Sequence, residues 1–419
     1  MSYFNEPDRK QMRWQTIDLE KLIPEDHKVR FFWEICEKIN LTKIYEKYKI
    51  TEESNGRPAY DPRMMLCLLI YAAEEGITSS RKIAEECKRR ADFIWLCGGI
   101  EPEYRAIAYF RAEQGEGIKE AFCEIVLALK EAGLLKGEIY YQDGTKMMAN
   151  ASKKSFMKKS EIEAKIEAAE EAYKTIMEEK WEDEEKKEEV RERLEKEKNK
   201  LEEALKTARE IMGVREKRAE RIYGKKGVER VKEAQASITD VECKFMKYNK
   251  ERIPGYNAQI CIEKESSIIV GTQVNTEPAD TGSLIPMIRA VRKNLEKEEL
   301  ENYGVDGGYY SNKNIREAEA EGVKNILINF KKNDKSEEKE TQEMKKKLEE
   351  ERNKEIIRKR GIIEKIFGNI KENVNKFRRF KLRGTKKVNI EWNVICIAYN
   401  LRRWFDIVMS KKAEVAVTP

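Results

Sequence analysis

Positions 140–152 read YYQDGTKMMANAS, two aromatics and a glutamine leading into Asp143 and then Gly144. An apolar strand that delivers a carboxylate to its own end is informative only if other carboxylates can meet it. A lone Asp-Gly is ordinarily a turn. The surrounding pattern supplies the frame. EIYYQDGT (138–145), GYNAQICIEKE (255–265), SIIVGTQVNT (267–276), LENYGVDGGYY (300–310) and KNILINF (324–330) are rich in Ile, Val and Tyr and read as strands. DTGSLIPMIRAVRKNL (280–295) and NKNIREAEAEG (312–322) read as amphipathic helices, with Asp280 and Asn312 as N-caps. Three strands in a meander, then helix, strand, helix, strand and a closing helix predict a mixed α/β sheet.

Composition narrows the chemistry. The 419 residues carry 39% charged and 40% hydrophobic side chains, with a net charge of +6 and a mean hydropathy of −0.77. Local basic clusters inside a nearly balanced chain permit nucleic-acid binding without requiring it. Cysteines at 36, 67, 87, 97, 123, 243, 261 and 396 form no C-x-x-C, and His27 is the only histidine. That disfavours Cys/His zinc sites and Ser-His or Cys-His triads, and dispersed cysteines fit a reducing cytoplasm. MSYFNEPDRKQMRW at the N-terminus has no apolar core, so no signal peptide is expected. IEWNVICIAYNLRRWF (390–405) is interrupted by Glu391, Asn400 and Arg402, so no membrane span is expected. Chemistry falls to carboxylates, lysines, arginines or bound metal.

Residues 1–130 read as a helical domain. Within it, RKIAEECKRR (81–90) is basic on one face after the capping run Thr78-Ser79-Ser80. A helix-turn-helix module and a helical bundle with a solvated basic face both account for it. A second domain spans 137–410. It is interrupted by a coiled-coil-like helical hairpin at 153–235, with sparse apolar stripes such as Ile162, Ile166, Leu201 and Leu205, and by a polar linker at 331–355.

Asp143 has a counterpart in Asp306, which also ends an aromatic-containing strand and also precedes glycine. Ile139, Tyr141 and Asp143 share one face of their strand, as do Gly304 and Asp306 on theirs. If the two strands pair, the carboxylates converge and need a cation between them. RGIIEKIFGNIKENV (360–374) reads as a helix docking through Ile362, Ile366 and Ile370. Glu364 lies opposite that stripe, with Arg360 and Lys371 within about 40° of it. Taken alone, this face reads as solvated surface with an ion pair. Two Asp and one Glu together make an all-oxygen site suited to two Mg²⁺ or Mn²⁺ ions, which can activate water or a 3′-hydroxyl at a phosphodiester. Gly144 leaves room for close approach of a metal or phosphate, Lys146 is a phosphate contact or surface charge, and Asn257, on the neighbouring strand, either supports the site residues from behind or satisfies a turn, the turn being the favoured reading.

At this point the chain resembles the bacterial insertion-sequence DDE transposases with an RNase H-like catalytic domain. Their helix carries Tyr, two residues, Arg, three residues, Glu, six residues, Lys. Arg360, Glu364 and Lys371 match that spacing, while Ile357 stands at the Tyr position. QDGTKMMANAS resembles the first-Asp strand, VDGGYYSNKNIREAEAEGV the second-Asp segment, and the stretch from Arg360 to Trp404 the C-terminal block. GRPAYDPRMMLCLLIYAAEEGITSSRKIAEECKRRADFIWLCGG resembles the helical domain that precedes the core in one branch. The resemblance implies an RNase H-like core and a DNA transposase that cleaves transposon ends and transfers the 3′-hydroxyl strand. Asp143, Asp306 and Glu364 are then both catalytic and metal-binding, and Arg360 and Lys371 contact phosphates. The run KFRRFKLRGTKK (376–387) adds Arg378, Arg379, Arg383, Lys386 and Lys387 as DNA contacts. Its Phe377 and Phe380 read either as aromatic support for DNA or as buried residues. Implied partners are double-stranded DNA and a second copy on DNA, with no membrane. The alternatives are an RNase H-like nuclease without strand transfer and a degenerate DNA-binding protein, for which Ile357 is the support.

Overall fold

The computed structural model describes residues 16–46, 59–178, 181, 183–224, 228, 231–248, 251–330, 339–373 and 375–417. The N-terminal stretch 1–14, where no signal peptide is expected, and residues 331–338 of the polar linker lie outside them. The N-terminal part is a bundle of α1 (Lys28–Lys38), α2 (Thr42–Glu46), α3 (Pro62–Glu74), α4 (Ser80–Arg89), α5 (Ala91–Leu96), α6 (Tyr104–Glu113) and α7 (Gly115–Glu131). Asp61 caps α3 by accepting from the Arg63 amide, and Pro62 occupies the first turn, where no amide is missed. PRMMLCLLIYAAE is apolar almost all round, so α3 is buried nearly throughout and forms the bundle's centre. It packs against α1, α5 and α6. α4 buries Ile83, Ala84 and Cys87 and turns Arg81, Lys82, Lys88 and Arg89 outward.

The sheet begins with β1 (Ile139–Met148). Then comes the insertion: β2 (Phe156–Lys158), α8 (Lys159–Glu178), α9 (Glu184–Tyr223) and β3 (Gln235–Ser237). α8 and α9 form the expected hairpin, with a small core of their own built from Ile162, Leu201, Ala204, Leu205, Ala208 and Ala236. β2 and β3 pair antiparallel and close its base. The 40 residues of α9 reach about 60 Å at 1.5 Å per residue.

The rest of the sheet follows: β4 (Lys244–Tyr248), β5 (Glu251–Glu263), β6 (Ile269–Asn275), β7 (Leu300–Asp306) and β8 (Val323–Asn329). α10 (Leu284–Leu295) precedes β7, and α11 (Asn312–Ala320) precedes β8. β5 runs antiparallel to β1 on one side, while β4 and β6 take its other side in succession. β1 is parallel to β7, and β7 to β8. The order β6-β5-β1-β7-β8, with β1 and β7 at the centre, is that of an RNase H-like core. The short β4 escapes a sequence reading because KFMKY is too brief to show a period. Two expected caps differ as well. Ser311 rather than Asn312 caps α11, and Asp280 makes no capping bond at all.

In the polar segment 331–355, α12 (Lys339–Glu349) and most of α13 (Glu351–Arg358) are helical. They lead to α14 (Ile362–Gly368), and the chain ends in α15 (Thr385–Val417). α15 covers the open edge of β6 with side-chain amides. Asn400 accepts from the Ile269 amide (2.9 Å) and donates to its carbonyl (2.7 Å), and Asn389 does the same at Val274 (2.8 and 3.0 Å). An exposed strand edge is thereby capped without another strand. Glu391, buried in the same helix, accepts the Lys381 and Leu382 amides. That explains a carboxylate in an apolar run. No helix among the described residues is long and apolar enough to cross a membrane. The bundle, sheet and α15 share one continuous core.

Candidate functional site

The alternation of β1 decides which residues meet. Tyr141, Asp143 and Thr145 face the segment 351–373, and each is matched by one part of it. The Tyr141 hydroxyl donates to the Ile356 carbonyl (2.6 Å). Its ring crosses Gly304, where a Cβ would lie 2.9 Å from the ring edge, and Ile357 packs from beyond. Asp143 forms an ion pair with Arg360 (2.9 Å), both side chains largely buried. Thr145 accepts from the Lys371 ammonium (2.5 Å), which also reaches the Lys146 carbonyl and lies 4.6 Å from the centre of the Tyr248 ring.

Asp306 stands level with Asp143. The last β1–β7 pair is Tyr141 with Gly304, and each aspartate lies two positions further on, on the same face of the sheet. Asp306 accepts the Gly308 amide (2.8 Å), which fixes its carboxylate at the strand end. Burial pushes the Asp143 carboxyl up to about 6; Arg360 opposes the rise and the charge of Asp306 adds to it. Two carboxylates at one end of the sheet, one of them largely buried, are the setting that a hard cation relieves, and their oxygens suit Mg²⁺ or Mn²⁺.

Glu364 lies one turn after Arg360, exposed, and lines a cavity of about 470 Å³ together with Arg360 and Asn329. The segment is not one regular helix. A 3-10 turn (Lys359–Gly361) leads into α14, and a π turn (Asn369–Asn373) follows it. The buried face is therefore Ile363, Ile366, Phe367 and Ile370, with Ile362 only partly covered, instead of the expected Ile362-Ile366-Ile370 stripe. The π turn also carries Lys371 inward to 8% exposure, where burial lowers its pKa to about 8. Among the described residues no three of His, Cys, Asp and Glu stand together as a ready cation site. The Arg360 guanidinium is the positive charge that Asp143 meets.

The basic run divides. Phe377 and Phe380 are core residues, packed edge-on against each other, with Phe380 also against Trp392 and Tyr256. Of their two readings, burial is the one the structure bears out. Arg379 bridges to Met148 and Arg383 donates to the Asn150 carbonyl, so both lie along the end of β1. Arg378 pairs with Glu372, and Lys387 with Glu113 (3.4 Å).

Behind the aspartates lies a polar network that the sequence pattern does not disclose. One oxygen of Asp280 accepts from Lys146 (3.1 Å), Asn257 (2.7 Å) and Gln259 (2.9 Å). Gln259 in turn accepts from Gln142 (3.2 Å) and from the Tyr309 hydroxyl (2.5 Å), and Asn314 ties the Thr281 and Tyr309 carbonyls together. Burial, followed by the charges of Asp143, Asp280 and Asp306, holds the Tyr309 hydroxyl well above its ordinary value, so the three acids surround that ring. Asn257 is thus a buried strand residue bonded to Asp280, not a turn residue. Lys146 is an ion-pair partner, and Gly144 makes room for the Gln259 amide. The available signal is two polar residues, Asn257 and Gln259, alternating in a strand buried on both faces.

Comparison with protein-family models gives two matches. The transposase domain (DUF772) matches residues 17–113, and the transposase DDE domain matches residues 230–401. Together they span well over half of the chain. The second contains Asp306 and Glu364, and Asp143 lies ahead of it. No curated protein and no solved structure matches.

Proposed function

The chain belongs to the insertion-sequence DDE transposases, and from that premise we propose that it cleaves the ends of its element and joins the freed 3′-hydroxyl to target DNA. The observation that carries this reading is the level placement of Asp143 and Asp306 on adjacent parallel strands, with Arg360 reaching Asp143 from the segment that bears Glu364. Asp143, Asp306 and Glu364 would hold two Mg²⁺ or Mn²⁺ ions. Bound there, the metals supply Lewis acidity and an activated water or hydroxyl.

The chain's own groups do the rest. Arg360 neutralises Asp143 and keeps the segment docked on β1. Lys371, held by Thr145, presents a second cation to phosphate on the far side of Glu364. The Asp280 network fixes the turn after Asp306 through Gln259 and Tyr309. Arg379 and Arg383, along the end of β1, together with Arg378, Lys386 and Lys387, would contact the DNA backbone. The outward basic face of α4 gives the N-terminal domain a second DNA-facing surface, and synapsis of two ends calls for two copies. Ile357 packs as a plain apolar residue against Gly304 and leaves all three acids in place.

The test is to incubate the protein with Mn²⁺, linear DNA carrying the element's ends and a target plasmid. Cleaved ends together with joined plasmid are expected. Cleavage without joining would establish a nuclease, and neither product would overturn the enzymatic reading.

A further inference from the structure

A basic cleft of about 530 Å³ separates the helical insertion from the edge of the catalytic sheet. Five cations reach it from different elements: Lys158 of β2, Arg215 of α9, Lys232 before β3, Lys244 of β4 and Arg252 of β5. Two are engaged. Arg215 donates to the Lys232 and Glu233 carbonyls (3.2 and 3.4 Å), joining the hairpin to the strand that returns from it. Lys244 pairs with Glu277 (2.5 Å). Lys158, Lys232 and Arg252 are exposed, and no hydrogen bond or ion pair holds their charged ends among the described residues. Elsewhere the hairpin pairs its charges along the helix, as in Lys186–Asp183 and Lys196–Glu192. The one acid lining the cleft, Glu233, is taken by the Ser160 amide (2.6 Å). Like charges gathered from separate elements, with too little acid to balance them, suit a polyanion.

We propose that this cleft binds the phosphate backbone of duplex DNA leaving the catalytic site, so that the insertion is a DNA clamp. The position supports this. β4 runs from Lys244 at the cleft to Tyr248, whose ring carries Lys371 of the site. Four residues of strand cover about 13 Å, and one DNA strand presents a phosphate about every 3.4 Å of helix axis, so a duplex lying along β4 passes some four phosphates between the two places. The proposal rests on the DNA-acting reading given above and goes beyond it in assigning the insertion's role.

The experiment uses the full chain and a labelled duplex of about 30 base pairs of arbitrary sequence, because contacts to phosphate do not depend on sequence. Binding by fluorescence anisotropy is followed across a salt series for the wild type and for the triple variant Lys158→Ala, Lys232→Ala, Arg252→Ala. A control removes three paired surface cations (Lys38→Ala, Lys186→Ala, Lys196→Ala) to match the net charge. The clamp predicts that the triple variant loses about tenfold or more in affinity and about two to three units of log-log salt slope, at about 0.9 per phosphate contact, while the control stays near wild type. A triple variant that binds like the control overturns the clamp while leaving the transposase reading intact. A wild type that does not bind duplex at all overturns both. Circular dichroism of each variant secures the fold.

Discussion

Asp306→Asn is expected to lower metal-dependent end cleavage by about a thousandfold or more while leaving DNA binding unchanged. Asparagine keeps the shape, and its carbonyl oxygen still accepts the Gly308 amide, so the turn after β7 survives. What is lost is one negative charge facing Asp143. Since that charge helps to raise the Asp143 carboxyl, the variant should also move Asp143 back toward the ordinary carboxylate range. Single-turnover cleavage and a gel-shift titration on the same DNA separate the two effects. Cleavage within a few-fold of wild type would remove Asp306 from the site.

Gly144→Ala is expected to be the most damaging one-carbon change in β1. A methyl at Gly144 would lie 2.0 Å from the Gln259 side-chain nitrogen and 2.9 Å from the Asn257 side-chain oxygen. Gln259 has nowhere easy to go, because it is buried and bonded at once to Asp280, Asn257, Gln142 and Tyr309. Displacing it breaks several buried hydrogen bonds and overpacks the sheet, a cost of about 2–4 kcal/mol. The thermal midpoint should fall by several degrees, and cleavage should fall further than stability alone explains, because Tyr309 and the turn after Asp306 lose their support. Wild-type stability and activity would show that the network is dispensable.

Much of this arrangement is legible in the residues themselves. Asp143 and Asp306 stand out because each ends a strand of recognisable period and precedes glycine, whereas helical spacing alone puts Arg360 on a solvated face, and only the resemblance singles it out. The parts that escape depend on contacts or on geometry without a period. The π turn that carries Lys371 inward breaks the 3.6-residue rule on which the helical face is drawn. Asp280 sits where a helix cap belongs, and only the arrival of Lys146, Asn257 and Gln259 from two strands reveals its other use. Phe377 and Phe380 lie among arginines in sequence but against Trp392 in space. The amides of Asn389 and Asn400 look ordinary in α15 until the edge of β6 is beside them.

Asp143, Asp306 and Glu364 are proposed to form one metal site, and Glu364 is the member whose side chain faces outward in the structure. The direct measurement is a Mn²⁺ titration of wild type and Glu364→Gln on end-containing DNA, followed by cleavage, at a pH above 7 where Asp143, with its value near 6, is ionised. The wild type is expected to take up two ions and cleave, and Glu364→Gln to bind fewer or weaker ions and cleave about a hundredfold more slowly or worse. Unchanged ion uptake and cleavage in Glu364→Gln would contradict that site.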